Sequence, residues 1–218
     1  GGMLVPTLFS SPASAQVPRI QGQGTAASGQ GNAFAAQADD PSALHYNPAG
    51  MTQLRGVQVM AGGLLSGGTI SFTSTSGANA TGTRDGSLAW PAPAHVFITA
   101  NLGDLGATAL SGLTLGIGLT SPIGSVSRYP DNGPQRFKAT FSALPLSDIK
   151  PTMAYQVTPN VSLGAGMDIY TFSDMLGEGH FEKQFISTGA VPVFGSAGQR
   201  AELYGKGTAV GYNVSLLY

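Results

Sequence analysis

From residue 57 onward the chain alternates with a period of two. Val57, Val59, Ala61, Gly63 and Leu65 share one face of an extended strand, with Gln58, Met60, Gly62 and Leu64 on the other, and Ile70 and Phe72 prolong it. A second strand is predicted at His95 to Asn101, with Val96, Ile98 and Ala100 on one side. The third sets Leu113, Leu115, Ile117 and Leu119 against Thr114, Gly116, Gly118 and Thr120. The fourth has Phe137, Ala139, Phe141 and Ala143 facing one way and resumes at Ile149, Met153, Tyr155 and Val157. Pro145 and Pro151 interrupt it, so a bulge or bend is expected there. The fifth sets Val161, Leu163, Ala165, Met167 and Ile169 against Ser162, Gly164, Gly166 and Asp168. The sixth sets Val210, Tyr212, Val214, Leu216 and Tyr218 against Gly211, Asn213 and Ser215.

Connection lengths sort these strands. Thr158 to Asn160 is a tight turn and Leu102 to Gly112 a moderate one, whereas Thr73 to Ala94, Ser121 to Arg136 and Asp174 to Arg200 are long. Short and long connections alternate. Short turns on one rim and long loops on the other are the habit of outer-membrane barrels. Apolar-out, small-or-polar-in strands are also what lipid on one face requires. A soluble sandwich with one buried face would show the same alternation.

Composition shifts the balance. Only 10% of residues are charged, the net charge is −1, and there are 32 glycines. A soluble domain carries roughly a quarter charged residues. No apolar run approaches the ~20 residues of a membrane helix. A transmembrane antiparallel β-barrel accommodates all three facts. Near-neutral charge gives no case for nucleic acid. With no cysteine, there is no disulfide framework and no thiolate site.

The residues before the strands read differently. Met3 to Ala15 is a short apolar patch closed by Ala13-Ser14-Ala15, the tail of a signal peptide, so residues 1–15 are set apart from the fold. Gln16 to Ser28 is rich in glycine and glutamine. In the stretch that follows, Asp40-Pro41 and Asn47-Pro48 each place a capping side chain before a proline preset for helix. Each predicts a helix of one or two turns, the first holding Ser42, Ala43 and Leu44, the second Ala49, Gly50 and Met51. Helices so short need packing against something larger.

The run ADDPSALHYNPAGMTQL, with Ala38-Asp39-Asp40 followed by Asn47-Pro48-Ala49, resembles the N-terminal plug of the FadL family of outer-membrane channels. The later runs LTLGIGLTSPIGS, DIKPTMAYQVTPNVSLGAGMDI and GYNVSLLY resemble that family's third to sixth strands, so the likeness covers nearly all of the chain after residue 28. It implies a plug at 16–55 and a partial barrel at 56–218. About six strands of a barrel of about fourteen would be present, and six alone enclose no useful lumen. The chain is therefore expected to be part of a longer protein, monomeric when complete. The resemblance implies passive uptake of long-chain fatty acids or related hydrocarbons across the bacterial outer membrane. Substrate would land on outer loops, enter a pocket above the plug and leave sideways through the wall into the outer-membrane lipid. Asn47, Pro48 and Ala49, with Asp39 and Asp40, would hold the plug's geometry.

An acyl chain leaving water is worth roughly 0.8 kcal/mol per methylene, so an apolar groove is needed, with a cation for any carboxylate. Apolar candidates are Phe34, Leu44 and Met51 in the plug, and Phe172, Met175, Leu176, Phe181, Phe185 and Ile186 beyond it. Phe181 to Ile186 has apolar residues at helical spacing, and an outer helix there would match the family's landing groove. Candidate cations are Arg128, Arg136, Lys183 and Arg200. Tyr170-Thr171-Phe172-Ser173 lacks the arginine that the best-known family member places on its fifth strand, which leaves room for a neutral hydrocarbon. Asp39 and Asp40 read as a cap and as partners for a cation such as Arg55. His45, His95 and His180 have no metal-ligand spacing, and no catalytic or cofactor motif is present, so neither enzyme nor cofactor is expected. Two other readings stand beside the channel: a general porin, against which residues 16–55 speak, and a soluble secreted ligand-binding β-sandwich.

Overall fold

A computed structural model describes residues 19–20, 22–64, 68–84, 94–185 and 199–218. Its frame is an antiparallel sheet in the order β1-β4-β5-β6-β7-β10. These are Val57–Gly63, Ala94–Asn101, Leu113–Arg128, Phe141–Thr158, Val161–Phe172 and Gly207–Leu217. They correspond to the six strands expected from the alternation. Two hairpins rise from the long connections: β2 (Gly68–Thr73) with β3 (Asn79–Arg84), and β8 (Gly179–Gln184) with β9 (Arg200–Gly205). Among the described residues no helix is long and apolar enough to cross a membrane.

The register turns the alternation into two surfaces. One lateral row runs Val57, Ala100, Leu115, Met153, Ala165, Val214 across the strands. Its neighbours include Ile98, Ile117, Leu163 and Tyr212, and Tyr212 is 87% exposed. On the opposite face the rows run Thr99, Gly116, Thr152, Gly166, Asn213 and Asn101, Thr114, Ala154, Gly164, Ser215. Large apolar groups therefore stand outward while glycines and hydroxyls face in. In water such an outer face would carry the full cost of apolar exposure, but in lipid it carries none.

Several expectations need correction. Ile70 and Phe72 belong to β2, not to an extension of β1. Leu65 lies outside the described residues. Phe137 and Ala139 precede β6 in a turn, where Lys138 and Ala139 donate to the Gln135 carbonyl at 2.7 and 3.0 Å. Strand β5 continues to Arg128, so the connection after it is shorter than expected. The two prolines do not break β6. Pro145 sits where β6 changes partner from β8 to β7, and Pro151 where the β6–β7 ladder skips from Ile149 to Thr152. Each missing N–H thus falls where no ladder bond is made to that neighbour. The register shifts fall elsewhere, in β5 between Thr120 and Ile123 and at the end of β6 between Gln156 and Thr158.

The helical segment lies against the inner face. It comprises α1 (Thr25–Gly29), α2 (Ala43–Tyr46) and a 3-10 helix at Pro48–Gln53. Phe34, Ala43, Leu44, Ala49 and Met51 have no exposed surface, and Leu44 and Met51 share a core with Phe97 and Ala154 of the sheet. Burial of each large side chain contributes roughly 1.5–3 kcal/mol, which is how helices of one turn persist. Asp40 Oδ1 accepts from the Ser42 amide at 2.8 Å and the Ser42 hydroxyl at 2.6 Å, which closes a turn ahead of α2; the N-cap of that helix is Ser42, not the expected Asp40, and it makes no side-chain capping bond.

Candidate functional site

Glycines decide how close the helices come to the wall. A β-carbon at Gly116 would lie 2.7 Å from Leu44 Cδ1 and 3.0 Å from Met51 Cε; at Gly118 it would lie 2.8 Å from Leu44 Cδ2 and 2.9 Å from Phe97 Cδ1. At Gly164 it would collide with the backbone nitrogen of Ala49 and lie 2.6 Å from the carbonyl carbon of Pro48. The wall is therefore notched to receive Leu44 and the Pro48-Ala49 peptide. Polar groups then fix the docking. The Ala49 amide donates to Ser215 Oγ at 2.9 Å, and Thr52 and Ser162 share a hydroxyl bond of 2.7 Å. Asn47 Nδ2 donates to the carbonyls of Ala35 at 2.8 Å and Leu216 at 3.3 Å. Asn47 was expected to cap its own helix; its side chain makes no capping bond and ties the helix to the wall instead.

The segment before α1 closes on the bulge of β5. The Ile20 amide donates to the Pro122 carbonyl at 2.8 Å, Gln23 Nε2 donates to the Ser121 carbonyl at 3.1 Å, and Arg19 bridges to Ile123. The bulge exposes backbone acceptors that a regular ladder would have used, and the N-terminal segment takes them.

Beside the bulge the inner wall carries charge. Lys150 Nζ donates to Asp148 Oδ2 at 3.1 Å and to Asp168 Oδ1, and Asn213 Nδ2 donates to Asp168 Oδ2 at 3.0 Å. All three charged residues are buried. Above this centre lies His45 of α2. Burial, with Lys150, Arg19 and His95 nearby, lowers the His45 pKa to about 3, so its ring is neutral. Among the described residues no group of three His, Cys, Asp or Glu side chains is placed to hold a metal ion.

The sequence candidates divide into two places. Phe34, Leu44 and Met51 are packed between helices and wall, with Phe34 edge-on to Tyr46 at 5.7 Å. Asp39 accepts from Gln37 at 3.1 Å, and Arg55 pairs with Asp104 at 3.7 Å, not with Asp39 or Asp40. The remaining candidates lie at the far rim. Phe172 and Leu176 are half-buried and Met175 is exposed. Phe181 and Lys183 belong to strand β8, with Phe185 just after it, so the expected outer helix is replaced by a hairpin; Ile186 lies outside the described residues. Arg200 bridges Glu182 at 3.0 Å and Asp131 at 2.9 Å, while Arg128 and Arg136 lie over Phe141 and Phe137 at 4.7 and 4.2 Å. The Asp148-Lys150-Asp168 centre was missed. Its signal was parity: even-numbered residues of β6 face in, so Asp148 and Lys150 had to share the inner face with Asp168.

A sheet with an apolar outer face, a glycine-notched inner face and short helices docked inside defines a transmembrane β-barrel. The chain belongs to the family described as outer membrane protein transport protein (OMPP1/FadL/TodX), whose profile matches residues 7–218. Among solved structures it is similar to a FadL homologue from Pseudomonas aeruginosa, with 17% identity and a TM-score of 0.55. That match covers 92% of this chain and 48% of the other, so the chain spans about half the length of that relative. No curated protein matches.

Proposed function

We propose that this chain forms the first part of an outer-membrane channel for passive uptake of hydrophobic compounds, long-chain fatty acids or related hydrocarbons. Residues 16–55 are its plug and residues 56–218 its partial wall. The observation that carries this reading is the docking of the helices on Gly116, Gly118 and Gly164, which fills the inner face with a small separate element. A general porin has no use for such an element. Substrate lands among Phe172, Met175, Leu176, Phe181 and Phe185 on the outer rim, near Arg128, Arg136, Lys183 and Arg200. It then reaches the plug, where Phe34, Leu44 and Met51, fully packed between helices and wall while the plug is docked, meet it once the plug lifts. Asn47, Pro48 and Ala49 hold the plug, with Asp39 and Asp40 shaping its first turns. The β5 bulge is the weak point of the wall, because its backbone there bonds to the N-terminal segment instead of completing a ladder. Lifting that segment opens a sideways exit to lipid.

The test is to purify the protein as expressed in outer membranes and identify co-purified small molecules by mass spectrometry. Uptake of the same class is then compared in cells with and without it. Bound acyl or hydrocarbon compounds with matching uptake are expected. An empty protein that passes small hydrophilic solutes overturns the reading in favour of a porin.

A further inference from the structure

We propose that the turn at Ala38 is a strained latch through which the plug opens as one body: the 3-10 helix at Pro48–Gln53 holds Ala38 in a left-handed conformation, and lifting that helix off the wall releases the turn with it. This deepens the channel reading above, as the working of its gate, and rests on it. Two non-glycine residues among those described have a positive φ, Asn32 at 67° and Ala38 at 40°. Asparagine reaches that region readily; alanine does not, because its β-carbon crowds the following carbonyl oxygen. Ala38 has no exposed surface and shares a core with Ala43, Leu44, Met51 and Leu54. Packing, not local preference, keeps it there.

The holding contacts come from the 3-10 helix. Gly50 lies directly on Ala38: a β-carbon at Gly50 would collide with the Ala38 β-carbon and carbonyl oxygen. Gln53 Nε2 donates to the carbonyls of Gln37 at 2.9 Å and Ala38 at 3.1 Å, so it clamps the backbone on both sides of the strained residue. The Ala38 amide donates to the Phe34 carbonyl at 2.9 Å and closes the turn that begins there. The same helix meets the wall through Ala49, in the notch at Gly164 and on the hydroxyl of Ser215. One short helix thus grips the wall on one side and the latch on the other. When Ala49 leaves Ser215, Gly50 and Gln53 leave Ala38. The turn then relaxes to negative φ, which favours the lifted state by about five- to thirtyfold over a plug without that strain. Relaxation also redirects the chain from Phe34 onward, so that ring is freed together with Leu44 and Met51.

The experiment is hydrogen exchange read by mass spectrometry on the detergent-purified protein, following the peptide at 34–40 for the latch and that at 47–54 for the helix. Gly164→Ala, which loosens the helix from the wall, is expected to speed both by the same factor. Gln53→Ala removes a clamp whose bonds are to the plug alone, and should speed exchange at 34–40 by about fivefold. Ala38→Gly tests the strain against Ala43→Gly. Each deletes a fully buried methyl group, but only at Ala38 does glycine relieve a left-handed backbone. Exchange at 47–54 should therefore rise at least about fivefold less in Ala38→Gly than in Ala43→Gly. Heat-modifiable migration on gels confirms that each variant is folded. A native exchange rate at 34–40 in either Gly164→Ala or Gln53→Ala overturns the latch, and so does equal damage from the two glycine variants; both results leave the channel standing. Passage of small hydrophilic solutes through the native protein overturns the channel reading, whatever the exchange rates show of the latch.

Discussion

Replacing Gly164 by alanine tests whether the wall is shaped for the plug. The added methyl group would meet the Ala49 nitrogen, the Pro48 carbonyl carbon at 2.6 Å and Ser215 Oγ at 2.6 Å. Two of these are backbone atoms of the 3-10 helix, so no rotamer change relieves the clash. The helix must move outward, and the bond from the Ala49 amide to Ser215 lengthens from 2.9 Å. Overpacking of this kind costs about 1–3 kcal/mol, and the bond about another 1 kcal/mol. If only the docking is weakened, the closed plug loses about 2–4 kcal/mol, a factor of roughly 30 to 1,000 in its opening equilibrium. Hydrogen exchange read by mass spectrometry on the peptide spanning residues 47–54 measures this directly. Its Gly50 and Leu54 amides bond internally at 2.8 and 3.1 Å and report opening of the helix. Gly29→Ala is the control, since nothing lies within 4 Å of its added carbon. Faster exchange in Gly164→Ala with an unchanged β6–β7 ladder is the expected result. Equal exchange in both variants would refute the docking argument.

Other outcomes follow from the same contacts. Asn47→Ala removes both donors to Ala35 and Leu216, costs about 1 kcal/mol of docking, and should lower uptake; normal uptake by a stably inserted variant would show that the tether is dispensable. Lys150→Met leaves Asp148 and Asp168 facing each other without their cation and should destabilise by about 3–5 kcal/mol, read by urea unfolding in detergent, whereas Lys150→Arg should recover most of the loss. His45 has a folded pKa near 3 against 6.5 when free, so the unfolded plug binds more protons between those values. Plug stability should therefore hold above pH 6.5 and decline as pH falls towards 3, and His45→Gln should flatten that slope in exchange experiments.

The long strands were legible because lipid on one face and a plug on the other enforce strict alternation, as in Leu113 to Thr120. The hairpins were not. Asn79–Arg84 carries a single small apolar side chain, Ala80, so its pattern has no period to read. Phe181 and Phe185 are spaced for a helix, but 181, 183 and 185 are equally one face of a strand, and cross-strand bonding to β6 and β9 decided it. The prolines misled for a related reason: a proline damages only the ladder its own N–H would have joined. Among site residues, the plug was visible from its caps and prolines. The Asp148-Lys150 pair was hidden within a run of isoleucine and prolines, although Asp168 had already been placed on the inner face.

The partners of the helical segment set an order of assembly. Ala49 and Asn47 lie 166 and 169 residues before Ser215 and Leu216, to which they are bound. A contact across that distance waits for everything between. The notch at Gly164 and the hydroxyl of Ser215 exist as a receiving surface only once β7 and β10 have paired. The helical segment, synthesised before these strands, thus docks only after they have paired, and the growing sheet passes through an unplugged stage before that segment closes on it.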